Sequence, residues 1–272
     1  MAPRLLPCFG RGNHASSKSA RVGTSEAADL TPEEQQKMGP LLVELFTSQG
    51  CGTSPEAEVL LSRLGRGDFA GELPPVAVLC FHVDYWDYRG WKDPFGSSTC
   101  TVRQKTYVDS LHLDTLYTPL VVVQGRAQCV GNHLDAIADA VRSAPKFPSP
   151  TMHASFERTD RGALQVFFMG ALRTKVDGNG VDVMAALYES GQVTDCGGGE
   201  NKGRMLNNDY VVRRLEKLIT VKDISAKKQV NGTVQFLLWE GFNAAKCGLL
   251  LFVQNASLQI FGVQQFQIPD TV

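Results

Sequence analysis

Leu41-Leu-Val-Glu-Leu-Phe-Thr-Ser-Gln-Gly-Cys51-Gly-Thr-Ser-Pro-Glu-Ala-Glu58 is the stretch from which the rest of the chain can be read. Leu41 to Phe46 is a short apolar run of strand type, and the glycines at 50 and 52 mark a turn that presents a cysteine. Helix-start signals follow at once. Thr53 or Ser54 serves as N-cap, Pro55 suits the first helical position, and Glu56 stands at capping-box distance from Thr53. The thiol of Cys51 is therefore expected beside a helix N-terminus, where unpaired N–H groups and the helix dipole favour the thiolate, the form that attacks disulfides. Glu56 and Glu58 oppose that effect with negative charge in the same turn.

Outward from this stretch, the helix expected from about Ser54 to Leu64 carries Val59, Leu60, Leu61 and Leu64 as a stripe to pack on a sheet. Pro74 to Val83 holds a continuous apolar run, the mark of a strand covered on both faces. Asp84 to Gly96 is an aromatic-rich loop, and a helix is expected over about Thr101–Leu111. Thr118-Pro119 precedes the strand of Leu120 to Val123, Gln124-Gly125-Arg126 is a hairpin turn, and Asn132 is the expected cap of a last helix around Leu134, Ile137, Ala138 and Val141. The order is β-Cys-α-β-α-Pro-β-β-α. Three prolines between Pro145 and Pro150 read as a linker. Beyond it come strands at Met152–Glu157, Leu164–Ala171, Val181–Tyr188, Thr233–Trp239 and Leu249–Phe261, separated by turns such as Asp177-Gly-Asn-Gly180, with one helix-like segment at Asn208–Leu218. The fold class expected is thus an α/β domain over 40–145 followed by a mainly antiparallel, sandwich-like β domain over 146–272, after an N-terminal tail at 1–39.

Composition narrows the function. The 272 residues are 43% hydrophobic and 20% charged, with a net charge of −1, which suits globular domains and gives no pull toward nucleic acid or an anionic membrane. No apolar run approaches the roughly 20 residues needed to cross a bilayer. The seven cysteines are odd in number and scattered, as in a reducing compartment, and show no paired spacing for a metal; no metal site is expected. The leader contains Arg4, Arg11, Lys18 and Arg21 and no acid before Glu26, so an organelle transit segment is the alternative to a disordered tail on a cytoplasmic protein.

ELFTSQGC (44–51), FHVDYWDYRGWKDPF (81–95), RQKTYV (103–108), YTPLVVVQGR (117–126) and GENKGRMLNNDYVVR (199–213) together resemble an uncharacterised thioredoxin-like family, a domain of unknown function, over roughly residues 40–270. The resemblance implies a thioredoxin-like fold with a cis-proline at Pro119 facing Cys51, and a thiol redox role with no established substrate. The usual second cysteine of that family is replaced by Ser54, so a disulfide cannot form within the Cys51-Gly-Thr-Ser54 motif. The motif also resembles the CGxS of monothiol glutaredoxins.

The residues expected to carry chemistry are Cys51 as nucleophile and Ser54 as its hydrogen-bond partner. Thr118, Pro119, Tyr85 and Trp86 are the substrate-binding candidates. His82 and Asp84, flanking Val83 at a strand end, form a candidate proton relay. The partners expected are protein or small-molecule thiols and disulfides, with an external thiol, glutathione among the candidates, resolving the mixed disulfide. No resident cofactor is expected; an iron–sulfur cluster held with glutathione is the least favoured reading. The alternative to catalysis is a non-catalytic module that holds a peptide or ligand along the aromatic loop and Pro119.

Overall fold

The structure, a computed structural model, describes residues 38–173, 180–222 and 229–272. The leader, Cys8 and most of the turn expected at Asp177–Gly180 lie outside the described residues.

The first strand, β1 (Leu41–Thr47), is wholly buried, as its apolar run requires. It leads through the Cys51 turn into helix α1 (Ser54–Arg66), which stops at Gly67, whose φ of 84° is open to glycine at little steric cost. Strand β2 (Val76–His82) lies parallel to β1, pairing Leu41 with Val76 and Thr47 with His82. Helix α2 (Ser98–Ser110) is capped by the Ser97 hydroxyl, which accepts from Thr99 N. Strand β3 (Leu120–Val123) runs antiparallel to β1, and β4 (Ala127–Val130) returns beside β3 through a turn with positive φ at Gln124 and Gly125. Helix α3 (Leu134–Ser143) follows, entered through His133 with no side-chain cap. Asn132, expected as that cap, instead reaches Glu56.

Alternation along these strands divides the core. Leu41, Val43, Leu45, Val78 and Val121 face α1 and α3, while Leu42, Phe46, Leu79, Phe81 and Leu120 face α2 through Cys100 and Tyr107. Each fully buried Leu or Phe contributes about 1.5–3 kcal/mol relative to exposure.

After the proline-rich segment the strands are β5 (Thr151–Thr159), β6 (Ala163–Ala171), β7 (Val181–Glu189), β8 (Gln192–Asp195), β9 (Met205–Asn208), β10 (Val211–Val221), β11 (Gln229–Leu237), β12 (Cys247–Gln254) and β13 (Ile260–Gln267). The large sheet has the order β13-β12-β7-β10-β2-β1-β3-β4, so strands from both sides of Pro145–Pro150 share one eight-stranded sheet. Sheet β11-β6-β5 packs over its β7 and β12 end through Leu164, Val166, Phe168 and Phe236. Hairpin β8-β9 stands apart at the Cys51 end.

Two further expectations are corrected. The segment 208–218 is not helical but supplies β10, and the apolar stretch from Leu249 to Phe261 is two strands joined through a turn at Asn255–Gln259. A buried polar cluster also ties the two halves together. Arg103 donates to Glu44 at 2.6 Å and to Gln254 at 3.3 Å, and Tyr107 donates to the other Glu44 oxygen. This gives the RQKTYV segment its structural meaning.

Candidate functional site

The chain leaves β1 at Thr47 and turns so that Cys51 N donates to Ser48 O at 3.1 Å, bringing Cys51 in front of α1. Cys51 is 3% exposed, so the turn presents its thiol in a nearly buried position. Three hydroxyls surround it. Thr53 Oγ1 lies 3.5 Å from Sγ, and Ser54 and Thr118 act on the sulfur from close by; Thr53 therefore faces the sulfur and makes no capping bond. The Thr118 carbonyl accepts from the thiol at 3.6 Å, next to the cis Thr118–Pro119 bond.

Burial pushes the Cys51 thiol up, but the hydroxyls of Ser54, Thr118 and Thr53, with the Thr53 N–H, outweigh it, and its pKa is lowered. The other five described cysteines go the opposite way. Burial pushes Cys129 up to about 11, Cys100 and Cys247 up to about 12, and raises Cys80 and Cys196. All six described cysteines are free thiols. Among the described residues no group of three His, Cys, Asp or Glu side chains gathers as a metal site. No helix among them is long and apolar enough to cross a membrane.

Glu56 and Glu58, expected to act against the thiolate, are occupied elsewhere. Glu56 accepts from Asn132, while Glu58 turns inward, is 5% exposed and accepts from Thr47 Oγ1 at 2.6 Å. Burial, partly offset by His82 and Thr47, lifts the Glu58 carboxyl to about 7. His82 and Asp84 are not brought together. Strand β2 ends at His82, so alternation does not carry on to Asp84, which bonds Thr101 at 2.6 Å. Asp93, from the aromatic loop, takes the His82 Nδ1 position at 2.7 Å and also accepts from Gln49 N at 2.8 Å. Burial lowers the His82 pKa, but Asp93 and Glu58 raise it more.

The aromatic loop is tied to the Cys51 turn. Trp91 donates to the Gln49 side-chain oxygen at 3.0 Å, and Trp86 packs against Gly50, where a Cβ would come within 3.1 Å of the Trp86 Cβ. Tyr85 and Trp86 lie on the α2 side of the sheet, packed against its core. Tyr88 points to solvent.

The GENKGR segment (199–204) also reaches the Cys51 turn. Asn201, 1% exposed, donates its amide to Gln49 O at 2.8 Å and to Cys51 O at 2.9 Å, while Arg204 donates to its Oδ1 at 2.7 Å. Glu200 accepts from Gly52 N at 2.9 Å and pairs with Arg89, and Gln49 Nε2 donates to Asn208 and Thr194. Residues some 150 positions downstream thus fix the shape of the Cys51 turn. The sequence signal for this segment was its place among the motifs that carry the family resemblance, which specifies no contact.

The model of a family described as Protein of unknown function (DUF1223) matches residues 42–254. Among solved structures, the chain is similar to a structural-genomics protein of Agrobacterium tumefaciens, with 26% identity, 85% of this chain and 96% of that chain covered, and a TM-score of 0.56. It is also similar to HBP35 of Porphyromonas gingivalis, at 14% identity, with 85% of this chain and 76% of that one covered and a TM-score of 0.55. At that identity the second likeness concerns fold alone. No curated protein matches the chain.

Proposed function

We propose that this chain, which belongs to the DUF1223 family of proteins of unknown function, is a thiol redox protein of thioredoxin-like build over residues 40–145, working through Cys51. The observation that carries the reading is the surroundings of that sulfur. Its thiol is lowered by the hydroxyls of Ser54, Thr118 and Thr53 while the five other described cysteines are pushed up. In support of the build stand the β-Cys-α-β-α-Pro-β-β-α order and the strand sequence β2-β1-β3-β4 within the large sheet.

In this reading the Cys51 thiolate attacks one sulfur of a disulfide. A new S–S bond forms to Cys51, the other sulfur leaves as a thiolate, and a second external thiol later attacks the mixed disulfide to release Cys51. Ser54 cannot resolve the adduct, because an alcohol is no thiol; its role is to hold the thiolate. Thr118 presents the carbonyl that orients the S–H before ionisation. Incubation with glutathione disulfide tests the scheme: a glutathione adduct on Cys51, reversed by dithiothreitol and absent in Cys51→Ser, is expected, and no adduct at Cys51 would refute it.

The 3% exposure of Cys51 favours one competing reading, a non-catalytic ligand-binding module. A Cys51→Ser variant that sustains the cellular role of the wild-type chain would select it.

A further inference from the structure

The three-stranded sheet β11-β6-β5 turns one face to the β7 and β12 end of the large sheet and the other to solvent. Its strands pair antiparallel in unbroken register, which fixes the residues that share the outer face. Leu164, Val166 and Phe168 alternate inward, so Phe167 and Met169 of the central strand stand outward, 41% and 63% exposed. His153, Ser155 and Glu157 of β5 flank them on one side, and Asn231, Thr233 and Gln235 of β11 on the other. A depression of about 420 Å³ lies over Phe167 and Met169. Glu157 is the one charged side chain at the outward positions of the three strands, where a protein surface commonly carries about a quarter or more. With no Lys or Arg there, the face matches neither nucleic acid nor an anionic membrane. An extended peptide adds to the edge of a sheet rather than to its face.

We propose that this face docks on the same face of a second copy of the chain, about a two-fold axis that crosses the strands at the row of Ser155, Phe167 and Thr233. The register makes the face self-complementary about that row. Each strand lies over its own copy running the opposite way, so a residue a given number of positions before the row meets the residue the same number after it. Phe167 meets Phe167 at the centre, Thr233 meets Thr233 and Met169 meets Gln165. Glu157 meets His153, so the one carboxylate of the face is set twice against its one imidazole, and like charges never oppose. Sheets stacked in this way lie about 10 Å apart and about 30° askew, which brings the centre, where Phe167 stands, into the closest contact. Strands of 9 residues, rising about 3.3 Å per residue and spaced about 4.8 Å, make a face roughly 30 Å by 15 Å, whose corrugated surface buries on the order of 500–600 Å² per copy. Two such faces reach about 1,000–1,200 Å², the lower limit for a specific interface, so the dimer is a reversible one with a dissociation constant on the order of micromolar.

Sedimentation velocity of the full-length protein from about 1 to 100 µM, under reducing conditions, tests the inference. A monomer–dimer equilibrium across that range is expected. Phe167→Glu, which sets two carboxylates together on the axis, is expected to abolish the dimer, and Met169→Lys to weaken it at least tenfold. Both side chains are exposed, so each variant should keep the wild-type far-ultraviolet circular dichroism, and Met169→Lys decides the matter if Phe167→Glu does not fold. Glu157→Lys alone is expected to weaken the dimer, whereas the exchange of His153→Glu with Glu157→His, which restores the same pairing, is expected to keep it. A protein that stays monomeric throughout the range, or a dimer as tight in folded Phe167→Glu or Met169→Lys as in the wild type, would overturn the proposal. A dimer that tolerates Glu157→Lys but not the exchange would overturn the two-fold register.

Discussion

Asn201→Ala removes the clamp that shapes the Cys51 turn, and its effect can be worked from the contacts. Two N–H···O bonds, to Gln49 O at 2.8 Å and Cys51 O at 2.9 Å, are lost, and the Arg204 guanidinium loses its acceptor. Each neutral bond nets about 1 kcal/mol, and a carbonyl left dry costs about 1–3 kcal/mol more. Asn201 is 1% exposed, so water does not simply fill in, and a destabilisation of about 2–4 kcal/mol is expected. Asn201→Asp keeps the shape and the acceptor for Arg204 but sets one carboxylate oxygen against the Gln49 and Cys51 carbonyl oxygens, so the two bonds are lost there too. Urea unfolding followed by tryptophan fluorescence at pH 5 and pH 8 measures both variants. An Asn201→Ala protein within about 0.5 kcal/mol of wild type, the range of ordinary surface changes, would refute the clamp.

Other consequences are as direct. Ser54→Ala removes the largest of the influences that lower the Cys51 thiol, and alkylation at neutral pH should slow by roughly tenfold, since a bond to a charged group is worth about 1.5–3 kcal/mol. An unchanged rate would exclude that role. Arg103→Leu strands Glu44 as a buried, unpaired carboxylate and should cost about 3–5 kcal/mol by denaturant unfolding; a near-neutral result would mean that Glu44 takes up a proton at little expense. Glu58, facing His82, Asp93 and Asp209, has its folded pKa raised from 4.5 to about 7. The folded state holds a proton that the unfolded chain releases, so stability falls as pH rises across that window, by about 3 kcal/mol in all. His82, also raised, adds to the fall, its contribution being lost as pH passes through its folded pKa. Glu58→Gln should flatten the profile of unfolding free energy against pH, and an unaltered slope would remove Glu58 as its source.

Local chemistry made much of the first half legible. The apolar run of β1, Pro55 at the start of α1 and the Gln124-Gly125 turn each act within a few residues, and they appear where their chemistry puts them. Strand β10 was misread because of its own irregularity. Bulges between Val212 and Arg214 and between Lys217 and Ile219 break the two-residue period, leaving Val211, Leu215, Leu218 and Ile219 at helix-like spacing. Pairing with β7, and with β2 at Val211 and Cys80, decides the matter, and neither is visible from inside the segment. In the site, Cys51 and the Ser54 hydroxyl were readable from four adjacent letters, whereas Thr53 read as a helix cap and Thr118 comes to the sulfur from far along the chain. The partnership of His82 with Asp93 was not, because it depends on where β2 stops and how the aromatic loop folds back. Nor was the clamp of Asn201 and Glu200, which becomes a contact only when hairpin β8-β9 is brought to the Cys51 end.

The pKa of Cys51, taken from the pH dependence of its iodoacetamide alkylation with the modified peptide followed by mass spectrometry, tests the central claim most directly. The arrangement of Ser54, Thr53 and Thr118 around the sulfur predicts a value below the unperturbed one of about 8.5 and a rate that exceeds those of the other described cysteines at neutral pH. A value at or above 8.5, or a thiol that alkylates no faster than Cys80 or Cys100, would contradict it.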